Sequence, residues 1–312
     1  MRKQQMIVVI GSINMDLVMR VPRMPHPGET LSGGVFQTIP GGKGANQAVA
    51  CARLSRQRGN VAMIACLGDD AFGAQLRAAL RHEAIDDTHV HTIAGMSSGV
   101  AAISVDDNGQ NSIALAAGAN AALLPAHIDA AQDLIAQAHV VVLQLESPMA
   151  TVAHAIRLAH GMGKIVVLNP APAQTLPTTL LRQLTYLIPN EIEAAMLVGQ
   201  TATTLEDDSE VDAVIARLRE IGCARILVTL GAKGVRAALA NGIQHFTAQP
   251  ANPIDTTAAG DTFIGGFVAA LADGESEEAA IDFGQRAAAS SVARVGAQTS
   301  IPYRRDLLPA AN

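Results

Sequence analysis

The sequence predicts an α/β fold with a mostly parallel sheet covered on both faces, and two observations carry the prediction. Short β-branched runs, apolar throughout, recur along the chain, and Ala-rich stretches with helical spacing stand between them. Strands that face a core on both sides lose the in–out alternation of a half-exposed sheet, and intervening helices supply the crossovers that parallel neighbours need. A third observation sets the size. With 312 residues, 49% hydrophobic and 16% charged, the chain can bury a large core. Aromatic residues are 3% and tryptophan is absent, so that core is made of Ala, Val, Leu and Ile.

Buried strands are predicted at MIVVIG (6–11), VAMIACLG (61–68), HVVVLQLE (139–146), KIVVLNP (164–170), YLIPN (186–190) and RILVTLG (225–231). Helices are predicted near 44–57, 71–83, 127–137, 149–161, 191–198 and 209–221. Ligands of such sheets gather beyond the carboxyl ends of the strands. Asn14, Asp16, Glu146, Asn169, Asn190 and Thr229 stand there.

Two regions break the rhythm. Residues 12–40 hold DLVMRVP and GETLSGGVFQTIP, which alternate like exposed strands about a Pro-rich turn. Residues 99–116 read as a hairpin turning at Asn108-Gly109. Together they predict a small β-sheet, formed by about 14–40 and 97–116, inserted into a single domain spanning 1–312 and able to act as a lid. A second hairpin, at Asn241-Gly242, is expected to extend the main sheet at its far edge.

Composition excludes several classes. A net charge of −6 without a Lys/Arg cluster leaves no nucleic-acid footprint. A small anionic ligand would need positive potential from helix N-termini or a few placed lysines. Cys51, Cys66 and Cys223 are odd in number and widely spaced, which argues for reduced, buried, small hydrophobes rather than a zinc site or a disulfide framework. The histidines, His82, His89, His91 and His127 among them, show no ligand spacing. The opening MRKQQMIVVIGSINMD imitates a signal peptide, but its apolar run is too short for a signal core. No segment nears the roughly 20 apolar residues of a membrane span. The expected setting is cytoplasmic, without membrane or nucleic-acid partners.

Five stretches carry candidate chemistry. PGGKGANQAVACARL (40–54) is a Gly-rich turn feeding a small-residue helix; it lets backbone approach a ligand, with Lys43 and Asn46 as donors, or it is simply a tight turn. It has neither the Walker A nor the GxGxxG spacing. GSINMD (11–16) sets Asn14 and Asp16 two apart on an extended chain, so both side chains share a face and could bond vicinal hydroxyls of a polyol, although both types are also turn formers. PNEIEA (189–194) places Glu193 three residues after Asn190, which suits a helix cap or the orientation of hydrated magnesium and phosphate. VTLGAKG (228–234) ends a strand with two glycines around Lys233, as a turn or as the wall of a nucleotide pocket.

DTTAAGDTFIGGF (255–267) is the most informative stretch. Asp261 opens a helix behind Ala258, Ala259 and Gly260, whose small side chains leave the first-turn amides open as an anion hole. A phosphoryl group there would lie within reach of Asp261, which could take a proton from an attacking hydroxyl. Phosphoryl transfer asks mainly for positioning and charge stabilisation. The plain alternative is an acid favoured by the helix dipole, but Asp255, Thr256 and Thr257 already offer capping groups. Gly265 and Gly266 inside the helix point to close packing. A dehydrogenase would show GxGxxG after the first strand, and a silent sugar sensor would have lost the acid.

GGKGANQAVA and DTTAAGDTFIGGF together resemble the two signatures of the ribokinase-like (PfkB) carbohydrate kinase family. PGET, GDDAFG, QLESP, LNPAPA and GAQTSIP also stand in the expected order. The resemblance implies a three-layer αβα, Rossmann-like body with a small β lid, and a homodimer formed by lid-on-lid packing. It implies transfer of the ATP γ-phosphate to the 5-hydroxyl of D-ribose, with 2-deoxyribose or a nucleoside as the alternative acceptor. Asn14, Asp16, Gly42, Lys43, Gly44, Ala45, Asn46 and Glu146 match its sugar-binding positions. Asn190, Thr229, Leu230, Gly231, Ala232, Lys233, Gly234, Gly260 and Asp261 match the nucleotide and catalytic ones, with Asp261 as the base. Gln285 stands where the family places a His or Asn beside the adenine. Glu193 matches the acid that organises magnesium. A potassium site maps to Asp255, Thr257, Ser291, Arg294, Gly296 and Ser300.

Overall fold

A computed structural model describes residues 5–32, 34–200, 205 and 207–307. The first part of the chain forms β1 (Met6–Ile10), β2 (Asn14–Arg20), β3 (Val35–Gly41), α1 (Lys43–Leu54), β4 (Val61–Gly68), α2 (Ala71–His82), β5 (Asp86–Ile93), β6 (Gly99–Val105) and β7 (Asn111–Ala116). The middle forms α3 (Pro125–Ala130), α4 (Gln132–Gln137), β8 (Ala138–Leu143), α5 (Met149–Gly161), β9 (Ile165–Leu168), α6 (Thr178–Leu181), β10 (Tyr186–Leu187) and α7 (Glu191–Leu197). The last part forms α8 (Asp208–Ile221), β11 (Ile226–Thr229), β12 (Val235–Leu239), β13 (Gly242–Phe246), α9 (Ala259–Ala272) and α10 (Glu277–Val292).

The main sheet has the order β13-β12-β11-β10-β9-β8-β1-β4-β5 and is parallel from β11 to β5. The hairpin β12–β13 adds two antiparallel strands at one edge, where Asn241-Gly242 predicted them. Successive residues of the central strands feed opposite layers. Ile7 and Val9 of β1 and Val140 and Val142 of β8 join the core beneath α1, α2, α9 and α10. Val8, Ile10, Val141 and Leu143 join the core beneath α3 to α8. This is the three-layer αβα arrangement.

Helices α1, α9 and α10 pack unusually closely. A Cβ on Gly265 would stand 2.2 Å from the Cβ of Ala50, and one on Gly266 would stand 3.0 Å from the Cα of Gly284. The helix glycines therefore serve packing, as the sequence suggested. A second sheet, ordered β3-β2-β6-β7, rises from the carboxyl end of β1, with β2 and β6 parallel and the outer pairs antiparallel.

Some boundaries differ from expectation. The helix predicted at 127–137 is two, α3 and α4, because Ala131 leaves helical geometry (φ −100°, ψ 13°) and its N–H bonds back to Ile128. β5 was not anticipated: DDTHVHTI is polar and lies at a sheet edge, with Val90 its one buried side chain. Helix α10, which packs on α9, was also not anticipated. The strand expected through residue 146 ends at Leu143. Cys51, Cys66 and Cys223 are free and buried, and burial pushes their thiols up, to about 11 for Cys66 and about 12 for Cys223. Among the described residues no helix is long and apolar enough to cross a membrane.

Candidate active site

The residues expected to hold a sugar converge where α1 begins. Gly42 caps the helix with φ 86°, a left-handed conformation that suits glycine. Gly44 approaches the loop after β1 so closely that a Cβ would lie 2.6 Å from the Ser12 amide nitrogen. Glu146 secures the junction: its Oε2 accepts from Ser12 Oγ at 2.5 Å and from the Lys43 amide at 3.1 Å. Ala45 is wholly buried, with its N–H on the Ser12 carbonyl at 2.9 Å, so it shapes the turn rather than facing a ligand. Asn14 and Asp16 leave the same loop on β2, one face apart from the intervening Met15.

Asn120, which no sequence motif singled out, locks this corner. It accepts from the Ile13 amide at 2.9 Å and donates to the Ile13 carbonyl at 3.0 Å and to Asn14 Oδ1 at 2.7 Å. The Nδ2 of Asn14 is thus the end of that amide left to meet a ligand, and it is a donor.

Asp261 closes the site from the other side. Its Oδ2 accepts from Asn46 Nδ2 at 3.1 Å and its Oδ1 from Gln47 Nε2 at 2.9 Å. Asp16, Glu146 and Asp261 crowd three carboxylates together. Burial first, then the charges of Glu146 and Asp261, push the Asp16 carboxyl up to about 7. Lys43 answers this charge. Burial opposes its ionisation, but Asp261, Glu146 and Glu193 outweigh it and hold the ammonium above its ordinary value.

The turn before α9 explains how Asp261 is presented. Ala258 sits in the left-handed region at φ 58°, uncommon for a residue with a Cβ, and caps the helix without a side-chain bond. Of the expected anion-hole amides, that of Ala259 is engaged by the Thr256 carbonyl at 3.2 Å, so its N–H is not free. Among the described residues, no acceptor partners the amides of Gly260 and Asp261, and nothing lies within 4 Å of where a Gly260 Cβ would be. The expected amides of Ala258 and Gly260 are thus open, and that of Asp261 joins them in place of Ala259.

Beside it lies a cavity of about 490 Å³. Thr229, Gly231, Ala232, Gly234, Gly260 and Gln285 line it, as expected of a nucleotide pocket. Leu230 is buried beneath it, Lys233 stands 4.0 Å from Glu191, and Asn190 and Asp261 are not on the wall. The segment from Ala248 to Ala251, with Pro253, Phe263 and Val292, also lines it without having been predicted. Gln285 Nε2 donates to the carbonyls of Phe246 and Thr247, each at 3.2 Å, in the orientation its hydrogen bonds select.

Asn190 and Glu193 form a reciprocal capping box on α7, with Glu193 N on Asn190 Oδ1 at 2.8 Å and Asn190 N on Glu193 Oε2 at 2.9 Å. Both Glu193 oxygens are engaged, the second by Asn190 Nδ2 at 3.0 Å. Burial raises the Glu193 carboxyl despite these bonds and the nearby Lys43. The cation-site residues gather in part. Asp255 Oδ1 accepts from the Thr257 amide and Oδ2 from the Gly296 amide, each at 2.9 Å. Burial alone would raise Asp255, but hydrogen bonds from Thr257 and Gly296 hold it below its ordinary value. Ser291 and Ser300 are wholly buried, bonded to the carbonyls of Ala288 and Ala297. The Arg294 guanidinium turns toward Asp306 at 3.6 Å, so only its backbone can face a cation.

The chain is similar to proteins of known activity over nearly its whole length. The ribokinase of Haemophilus influenzae is 44% identical over 305 residues, 97% of each chain. A deoxyribokinase of Salmonella typhi is 38% identical over 297 residues, 95% of each. The structure of Arabidopsis thaliana ribokinase complexed with ribose and ATP superposes with a TM-score of 0.88 at 31% identity, covering 97% of both chains. The pfkB family carbohydrate kinase pattern matches residues 4–304. By the packing of its site and by these relationships, the chain belongs to the pfkB family of carbohydrate kinases.

Proposed function

We propose that the protein is a ribokinase, transferring the γ-phosphoryl group of ATP to the 5-hydroxyl of D-ribose to give ribose 5-phosphate and ADP. The observation that carries the reading is the placement of Asp261. It stands at the third residue of α9, bonded to Asn46 on the sugar side, with unpaired amides in the same turn and Gly260 of that turn on the wall of the 490 Å³ cavity. The ribokinase relative at 44% identity and the ribose- and ATP-bound relative support the substrates.

In this reading Asn14, Asp16, Lys43, Asn46 and Glu146 hold the sugar, with Gly42, Gly44 and Ala45 shaping the turn that presents them. Asp261 accepts the 5-hydroxyl proton as the oxygen lone pair attacks phosphorus. The bond from the γ-phosphorus to the bridging oxygen breaks, and ADP leaves with that electron pair. The amides of Ala258, Gly260 and Asp261 stabilise charge on the transferring group. The apolar wall opposite Gln285 takes the base, flanked by Thr229, Gly231, Ala232 and Gly234.

The donor sets fit the ions such a reaction uses. Both Glu193 oxygens are committed to Asn190, which suits a magnesium ion reached through water rather than ligated directly. Magnesium, when bound, neutralises charge on the transferring phosphates. Asp255, tied to two loops through backbone amides, supplies a fixed negative charge among hard oxygen donors, as a potassium ion requires.

The second sheet serves as the lid that excludes water from the sugar hydroxyl. Register places Val18, Ile39, Ala101, Ile103, Ile113 and Leu115 on one of its faces together with Asn14, Asp16, Arg20, Gln37 and Asn111, with Ile113 and Leu115 exposed on the outer strand. The exposed apolar pair Ile113 and Leu115 on this mixed face suits contact with a second copy of the chain, so the protein is a homodimer through its lids.

The deoxyribokinase relative favours 2-deoxyribose as a second reading. ADP release with ribose, 2-deoxyribose, fructose and nucleosides decides between them. Turnover with ribose exceeding that with the others is expected, and no turnover with ribose alongside turnover of another sugar would overturn the first reading.

A further inference from the structure

Gln47 lies one residue beyond the amide expected to touch the sugar and is wholly buried; it stands within GGKGANQAVA, but the sequence assigned it no role. Its Nε2 donates to Asp261 Oδ1 at 2.9 Å and to Asn169 Oδ1 at 3.2 Å, and its Oε1 accepts from Gln144 Nε2 at 2.6 Å. A primary amide offers two N–H donors and one carbonyl acceptor, and here both ends are engaged. Turning the amide over would set its oxygen against two acceptors and its nitrogen against a donor. The three partners thus select a single orientation. Gln144, which donates to its oxygen, is also wholly buried, one residue past the end of β8.

The consequence falls on Asp261. Its Oδ1 is bonded to a residue that solvent and substrate cannot reach, and its Oδ2 is bonded to Asn46 on the sugar side. A carboxylate held at one oxygen cannot rotate to exchange the two. Through Asn169, whose Nδ2 donates to the Ile188 carbonyl at 3.0 Å, the same amide ties the acid to the segment leading into the Asn190–Glu193 cap.

We infer that Gln47 is the positioning residue of the phosphoryl-transfer base. It fixes Asp261 through Oδ1 and thereby keeps Oδ2 directed at the acceptor hydroxyl. The inference rests on Asp261 being that base. Gln47 itself touches no substrate, so its loss acts on the chemical step and not on sugar affinity.

The test is steady-state kinetics of Gln47→Met, which keeps the side-chain volume and removes the polar atoms, alongside Asp261→Asn and the double variant. A hydrogen bond to an ionised group sets the scale: kcat falls about 10- to 100-fold while the KM for ribose stays within about threefold. In the Asp261→Asn background the same substitution has no further effect on kcat, because it acts through Asp261. If Asp261→Asn retains the parent turnover, the base assignment falls and this inference with it. If Asp261→Asn is inactive but folded Gln47→Met keeps the parent kcat, the inference alone is overturned. A loss that appears equally in ribose KM, or persists in the double variant, also overturns it. Should Gln47→Met fail to fold by circular dichroism, Gln144→Met decides: it frees the Gln47 amide, and an unchanged kcat there overturns the inference.

Discussion

Asn120 Nδ2 donates to Asn14 Oδ1 at 2.7 Å, joining the turn that follows the last strand of the small sheet to the first polar residue of β2. The same side chain holds both backbone groups of Ile13. One buried amide therefore fixes which end of Asn14 is left to meet a ligand. Asn120→Ala removes that control and is expected to raise the ribose KM about 10-fold, with the KM for ATP little changed. Steady-state kinetics with each substrate varied in turn checks it.

Asp16 gives a pH dependence of stability. Its carboxyl is raised from 3.8 to about 7 by burial and by Glu146 and Asp261. Between those values the folded protein keeps a proton that the unfolded chain has released. The stabilising contribution is therefore complete below the lower value and is lost as pH rises to the upper one. In Asp16→Asn this loss disappears. Urea unfolding should show the variant gaining on the parent by at least about 1.4 kcal/mol between about pH 5 and pH 7.5, the free energy of a tenfold change in proton affinity.

The bonds from Asp255 to the amides of Thr257 and Gly296 assign that carboxylate to the loop beside α9. Asp255→Asn keeps its shape and removes its charge. The ratio of activity in potassium to activity in sodium is expected to fall to about one, as it would where no fixed charge favours a bound cation. ADP release in the two salts, at matched ionic strength, measures it.

Ile113 and Leu115 are exposed on the sheet face that carries Asp16. Ile113→Asp places a charge on that exposed edge strand, and light scattering is expected to find a monomer, the proposed parent dimer being lost. A parent that is itself monomeric would dispose of the lid-to-lid interface.

Much of this was legible in the chain, and the reasons for the exceptions are physical. Apolar runs marked β1, β4, β8 and β9 because strands buried on both faces need no polar alternation. The edge strand β5, with its Asp, Thr and His residues, carries little of that signal. Small residues around Asp261 announced an open helix turn, but the Thr256 carbonyl's claim on the Ala259 amide is a matter of backbone path. Asn46 was visible through its Gly-rich turn. Gln47 was not, because its partners Gln144, Asn169 and Asp261 are 97, 122 and 214 residues away and meet it only in the folded sheet. The wall from Ala248 to Ala251 belongs to irregular chain, where no periodicity marks a lining residue.

The contact of Gly265 with Ala50 leaves no room for even one added carbon between α1 and α9. Those helices carry the sugar-side amides and the acid respectively, so the gap between them is a fixed ruler. Hydroxyls on one sugar differ little in intrinsic reactivity, and holding one of them at the right distance is worth orders of magnitude in rate. In the proposed transfer to the 5-hydroxyl, that spacing would select the site of reaction by length along the sugar, and the contact of Gly265 with Ala50 sets the scale.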